Sequence, residues 1–126
     1  MIVKLPVLKQ SIQEDHLIEN ETEEIFEIDT SVYSEERWEQ NFPSLAQKES
    51  LFEYIERVKD TKNVSDRVRV SAMLKAVYCF IESNAASTFK QFAQLFVLSN
   101  PEYTQRLINK LISIFTTISN GSTVKN

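Results

Sequence analysis

The chain has 126 residues, a net charge of −4, and a composition of 42% hydrophobic and 25% charged residues, which suits one globular domain with a single core. It contains one glycine, Gly121, and three prolines. Loops that cradle phosphates need several glycines for positive φ and close backbone approach, so a P-loop or dinucleotide fingerprint is excluded.

Residues 1–33 read as an acidic segment with short strands. Ile2–Leu8 and Glu24–Asp29 carry the strand-like runs, and Ser11–Thr22 between them reads as a loop or a weak helix. Ten acidic side chains and no lysine or arginine fall between Gln10 and Glu36, whereas bases outnumber acids from Arg37 onward. Such a segment serves solubility, shields a sticky surface, or docks on a neighbouring subunit.

Residues 34–119 read as a helical body. Ser34 is placed to cap a short helix through Gln40, with Glu35 and Glu36 in its first turn. Pro43 stops that helix and pushes Phe42 out of the α region, and Trp38 and Phe42 fall on one side of it. Ser50-Leu51-Phe52-Glu53 is a capping box that opens a helix to about Lys59, where Glu53 can pair with Arg57.

Asp60–Asn63 reads as a loop. A longer helix is expected from Ser65 to Ile81 or Glu82, apolar on nearly all sides in its second half. Ser83–Ser87 breaks it. Another helix is expected from Thr88 to Leu98, with Phe89, Phe92 and Phe96 on one side. Asn100 as N-cap and Pro101 at the first position open the last helix, expected to run to Ile118 with Gly121 just past its end. Residues 120–126 read as a flexible tail. The expected fold is therefore mainly α, a compact bundle of about five helices with a short N-terminal β element.

The last helix carries an apolar band wider than one packing face. Leu107, Leu111, Ile114 and Ile118 form one row, Ile108, Ile112 and Phe115 another, and Tyr103 adds a ring near the start. Two readings are open: the helix is sandwiched inside its own monomer, or another chain covers part of the band. The second reading makes Phe89, Phe92, Phe96, Tyr103, Leu107, Leu111, Ile112 and Phe115 candidates for a client groove or an oligomer contact.

No catalytic arrangement is visible. Cys79, the single cysteine, lies in an apolar run and reads as a buried, inert thiol in a reducing compartment. His16, the single histidine, sits far away in the acidic segment and cannot form a metal site alone. Glu23 with Glu24, and Glu35 with Glu36, are neighbours that do not face each other. The chain is expected to be non-enzymatic and to need no cofactor or metal. No run approaches a membrane span of about 20 apolar residues, and no signal-peptide pattern opens the chain. Residues 88–118 superficially suggest a helix-turn-helix, but the second helix starts with Glu102 and few bases. Nucleic acid is therefore not expected as a partner.

The stretch from Ser34 to Pro43, followed by Leu51-Phe52-Glu53-Tyr54-Ile55-Glu56-Arg57, resembles the tail assembly chaperones of long-tailed bacteriophages. The similarity is greatest to those of phages infecting Gram-positive bacteria, where an E-R-W-E-x-x-F-P segment precedes a helix of the L-F-x-Y-I-E-R kind. It covers residues 24–82; beyond Ser83 only the helical character agrees. The resemblance implies a factor in the host cytoplasm, absent from the mature virion. It would keep the hydrophobic tape measure protein soluble while tail tube subunits assemble, associating with its own copies along that client. The tail tube protein is a further partner the resemblance allows. Within the motif, Trp38, Phe42, Pro43, Phe52 and Tyr54 are expected to be chiefly structural. Two other functions remain open: a structural tail or head–tail joining protein, and a small DNA-binding regulator.

Overall fold

The computed structural model describes residues 1–81 and 88–124, with side chains as far as residue 120. Strand β1 (Ile2–Gln13) pairs antiparallel with β2 (His16–Glu27), in register from Ile2↔Glu27 to Gln13↔His16. The helices follow in order: α1 (Tyr33–Asn41), α2 (Pro43–Ala46), α3 (Leu51–Lys59), α4 (Asp66–Phe80), α5 (Phe89–Ala93) and α6 (Pro101–Val124).

This corrects the expected fold class. Among the described residues six helices accompany the two-stranded hairpin, so the architecture is mixed α/β and not a mainly α bundle of five helices. The hairpin is also part of the core. Val3, Leu5 and Val7 alternate toward the interior with Phe26 opposite Val3, and all four are buried with the helical residues. Strand β1 lies against α6, which α4 and α3 flank as well. Cover from several directions is the reason that α6 is apolar over such a wide arc.

The stretch expected as a loop or weak helix is instead the outer half of the hairpin. Residues Lys9 to Glu21 are all exposed, so no apolar alternation marks them as strand. The turn at Glu14-Asp15 takes φ of 50° and 65°, the two positive values of a type I′ connection. Neither residue is glycine or asparagine, the residues that adopt this geometry at least cost.

Several helix starts are fixed as local chemistry dictates. Ser50 and Glu53 form the reciprocal capping box of α3, Ser65 caps α4 through the Val68 N–H, and Thr88 caps α5 through the Gln91 N–H. Asn100 Oδ1 accepts from Tyr103 N–H at 3.0 Å, ahead of Pro101 at the start of α6. Phe42, with φ −135° and ψ 62°, is out of the α region before Pro43, which both ends α1 and begins α2.

Other boundaries differ from expectation. Ser34 lies inside α1 and is fully buried, its hydroxyl donating to the Ser31 carbonyl at 2.8 Å. Helix α5 stops at Ala93, because Gln94 to Phe96 continue in tight turns rather than a regular helix. Helix α6 continues through Gly121 to Val124. Glu82 and the break expected over Ser83–Ser87 lie outside the described residues, as do the last two of the tail.

The strained turn yields a test. Replacing Glu14-Asp15 by Asn-Gly is expected to stabilise the protein by about 1 kcal/mol, raising the thermal midpoint in calorimetry. An unchanged or lowered midpoint would show that the turn is not of this type.

Candidate interaction surface

The residues of the family-like motif converge on the buried end of α4. The last carbonyls of a helix have no partner within it, and here that end is inside the protein. The Ile81 N–H reaches the Tyr78 carbonyl at 3.2 Å, Arg37 Nε donates to the Cys79 carbonyl at 2.7 Å, and the Asp29 N–H donates to the Phe80 carbonyl at 2.7 Å. Arg37 also meets the Asp29 carboxylate at 3.3 Å. The Ser31 hydroxyl and backbone, with Arg37, hold that carboxyl below its ordinary value. A cation at a helix C-terminus further complements the helix dipole.

The neighbouring motif residues fasten α1 to α3. Glu35 accepts the Leu51 N–H with both carboxylate oxygens at 3.2 Å, serving the start of a helix 16 positions away. Trp38 is buried; its Nε1 donates to the Glu49 carbonyl at 3.0 Å, and its ring lies 4.6 Å from Tyr54 and 5.6 Å from Phe42. Tyr54 donates to the Ala72 carbonyl at 2.9 Å. Phe52 is partly exposed and leans edgewise on Phe80. Pro43 is exposed. Arg57 pairs with Glu49 and stacks over Tyr54, in place of the expected Glu53 partner.

The candidate groove residues part company. Phe92, Tyr103, Leu107, Leu111 and Phe115 are fully buried in the subunit's own core, so they offer nothing to another chain. Tyr103 donates to the Pro6 carbonyl at 2.8 Å, which ties α6 to β1. Ile112 is half-buried against the core. For α6, the sandwiched reading is therefore the one the structure displays.

Phe89, half-buried, does line an open surface, whereas Phe96 reaches it only as a buried wall residue, 7% exposed. Two adjoining cavities of about 530 and 210 Å³ share Arg67, Phe96 and Leu98 in their walls. Together they make a trough between α4 and the α5–α6 corner. Val70, Leu74, Phe89 and Ala93 line one end, and Asp66, Ser99, Pro101 and Thr104 the other. Phe89 is fixed by edge-on contacts with Phe42 at 5.3 Å and Tyr78 at 5.8 Å, so the motif supports the trough from behind. Arg67 forms no ion pair with another described residue. Sequence reasoning found the two phenylalanines but missed Arg67, Leu98 and Ala93, because the irregular backbone after Ala93 sets their grouping.

A third cleft, of about 650 Å³, lies between β1 and α6 and is walled by charges of both signs, including Lys4, Glu21, Arg106 and Lys110. Arg106 and Glu21 already satisfy each other across it.

Exposed apolar surface gathers elsewhere as well. Ile12, Leu17 and Ile18, 75%, 59% and 42% exposed, stand on the outer hairpin. Cys79 is buried, and burial pushes its thiol up to about 12. Among the described residues no group of three or more histidine, cysteine, aspartate or glutamate side chains is placed to hold a metal ion, and no helix is long and apolar enough to cross a membrane. No family model, no curated protein and no solved structure matches the chain.

Two outcomes are expected. Arg37→Met leaves the Cys79 carbonyl and Asp29 without their partner, and should lower stability by about 3 kcal/mol in urea titrations; a loss near zero would remove Arg37 from this role. Burial also raises Tyr54 and Tyr103 from 10.0, and Cys79 from 9.0, to about 12. Groups whose folded pKa is raised contribute stability that is complete below the unfolded pKa and lost above it. Stability should therefore fall between about pH 9 and pH 12, with tyrosinate absorbance and loss of helical circular dichroism appearing together. Ionisation of these tyrosines in a fully helical protein would refute the burial account.

Proposed function

We propose that this chain is a non-catalytic assembly chaperone of phage tails, which binds the hydrophobic helical tape measure protein in the host cytoplasm and stays out of the finished virion. The observation that carries this reading is the trough between α4 and α5. Its lining, with half-buried Phe89, Ala93 and Leu98 beside buried Phe96, suits the apolar stripe of an amphipathic helix, whose anchors recur every three or four residues. Arg67 at its centre offers a charge-assisted hydrogen bond to a carboxylate or a helix-end carbonyl of the client. The resemblance over residues 24–82 supports the same reading.

The motif then serves the function indirectly. Trp38 packs on Phe42, Phe42 holds Phe89, and Phe89 forms part of the trough wall. A small subunit with one such trough grips a long client only weakly, and several copies along the client would add avidity.

Co-expression with the tape measure protein tests the proposal. The client should move into the soluble fraction and co-purify with the chain. Ala93→Asp, which sets a carboxylate in the half-buried wall, should cut the recovered complex by about ten-fold, equivalent to roughly 1.4 kcal/mol, while helical circular dichroism is retained. Unchanged client solubility with no co-purifying complex would defeat the idea. Recovery of the chain from purified virions would favour a structural tail or head–tail joining role instead.

A further inference from the structure

We propose that two copies of this chain exchange their hairpin arms, each laying its acidic, apolar-tipped arm into the other's α4–α5 trough. The arm is the part of the hairpin beyond Gln10 and Glu19. Those two residues make its last ties to the body, Gln10 Nε2 to Ser99 Oγ at 2.8 Å and Asn100 Nδ2 to Glu19 Oε1 at 3.3 Å. Past them the register continues through Ser11↔Ile18, Ile12↔Leu17 and Gln13↔His16, about 10 Å of paired strand with no cover on either face.

Ile12 and Leu17 are directly paired, so they share one face of the arm. By the two-residue period this is the face on which Gln10 leans against Ser99. Glu14 and Asp15 crown the turn, and neither forms an ion pair with another described residue.

The trough answers both properties. It is apolar along Phe89, Ala93 and Leu98, and Arg67 in the middle of it forms no ion pair with another described residue. Lys75 lies one turn beyond Ser71 on the same side of α4, and Lys90 follows Phe89 on α5; neither joins an ion pair with a described residue. An acidic tip with an apolar pair therefore meets the end of the slot that is apolar along Phe89 and Ala93 and carries Arg67, the end away from Asp66.

Position selects a second copy as the occupant. The arm leaves the body at Ser99 and Asn100, and the trough opens at Leu98, Ser99 and Pro101. Arm and slot thus share one corner, and every arm residue from Ser11 to Ile18 stays exposed instead of filling the slot of its own subunit. A single two-fold rotation about that corner fills both slots at once, giving a closed, self-complementary pair rather than an open chain.

The inference shares the trough with the client reading above but concerns the protein alone, so it is tested without any client. Sedimentation equilibrium of the isolated protein should show a dimer whose dissociation constant rises with salt. Ile12→Ser with Leu17→Ser, both at exposed positions and therefore compatible with folding, should raise that constant at least ten-fold. Arg67→Glu should do the same, and adding Glu14→Arg with Asp15→Arg to Arg67→Glu should recover much of the loss.

As a second readout, Leu17→Cys with Ser71→Cys in a Cys79→Ala background should give a disulfide-linked dimer on oxidation, whereas Leu17→Cys alone should not. A strict monomer at all concentrations, or a dimer indifferent to both the arm and the Arg67 changes, would overturn the proposal.

Discussion

The structure depends on a helix that ends inside its own core. Helix α4 passes through the centre of the protein, and its last carbonyls emerge where water cannot reach them freely. Leaving such groups unpaired costs a large fraction of a domain's net stability. The chain meets this constraint with groups from elsewhere in the sequence: the backbone of Asp29 after the hairpin and the guanidinium of Arg37 on α1. Because Arg37 also holds the Asp29 carboxylate, the hairpin, α1 and α4 are locked at one point. The hairpin is therefore not an appendage that happens to dock. Without it the Phe80 carbonyl would lose the Asp29 amide that pairs with it.

That junction explains why a motif with no catalytic chemistry falls where it does. Glu35, Arg37 and Trp38 each satisfy a backbone group of another element: the Leu51 amide, the Cys79 carbonyl and the Glu49 carbonyl. Two distant stretches of chain, the start of α3 and the end of α4, are thus pinned by one short helix. A lysine in place of Arg37 could not donate through a planar fork to two acceptors at once. A smaller ring in place of Trp38 would lose both its bond to Glu49 and its contact with Tyr54.

How much of this was legible in the sequence follows from the range of the interactions. Caps made within four residues, at Ser50 and Asn100, were readable because the partner is close by, and the helix starts at Ser65 and Thr88 with them, whereas the cap expected at Ser34 did not form. The Phe42-Pro43 break was readable too. Glu35 serving α3 and Arg37 serving α4 were not, since nothing local marks a side chain whose partner is 16 or 42 positions away. The outer hairpin escaped for a different reason. Strands are recognised by one buried face, and Ser11 to Ile18 have none. The inner half was read as short strands because Val3, Leu5 and Val7 do have one. Helix α6 was recognised as too apolar for a single contact, but sequence alone does not count the neighbours. Strand β1, α3 and α4 all lie on it.

The same reasoning relocates the surplus apolar surface. Had β1 been absent, α6 would lose one of its three covers, leaving a stripe beside Tyr103 open to solvent or a partner. With β1 in place that stripe is sealed, and the strand that seals it continues outward into the arm. Covering α6 and projecting Ile12 and Leu17 are thus two ends of one element, held by a single register from Ile2↔Glu27 to Gln13↔His16. A slip of one residue would turn Val3, Leu5 and Val7 out of the core. The core therefore fixes which arm residues face the corner at Ser99. Of the ten acids between Gln10 and Glu36, the paired arm sets Glu14 and Asp15 at its tip. The body meanwhile leaves Arg67, Lys75 and Lys90 without intramolecular partners among the described residues. Charge separated in this way along one chain is better satisfied between chains than within one.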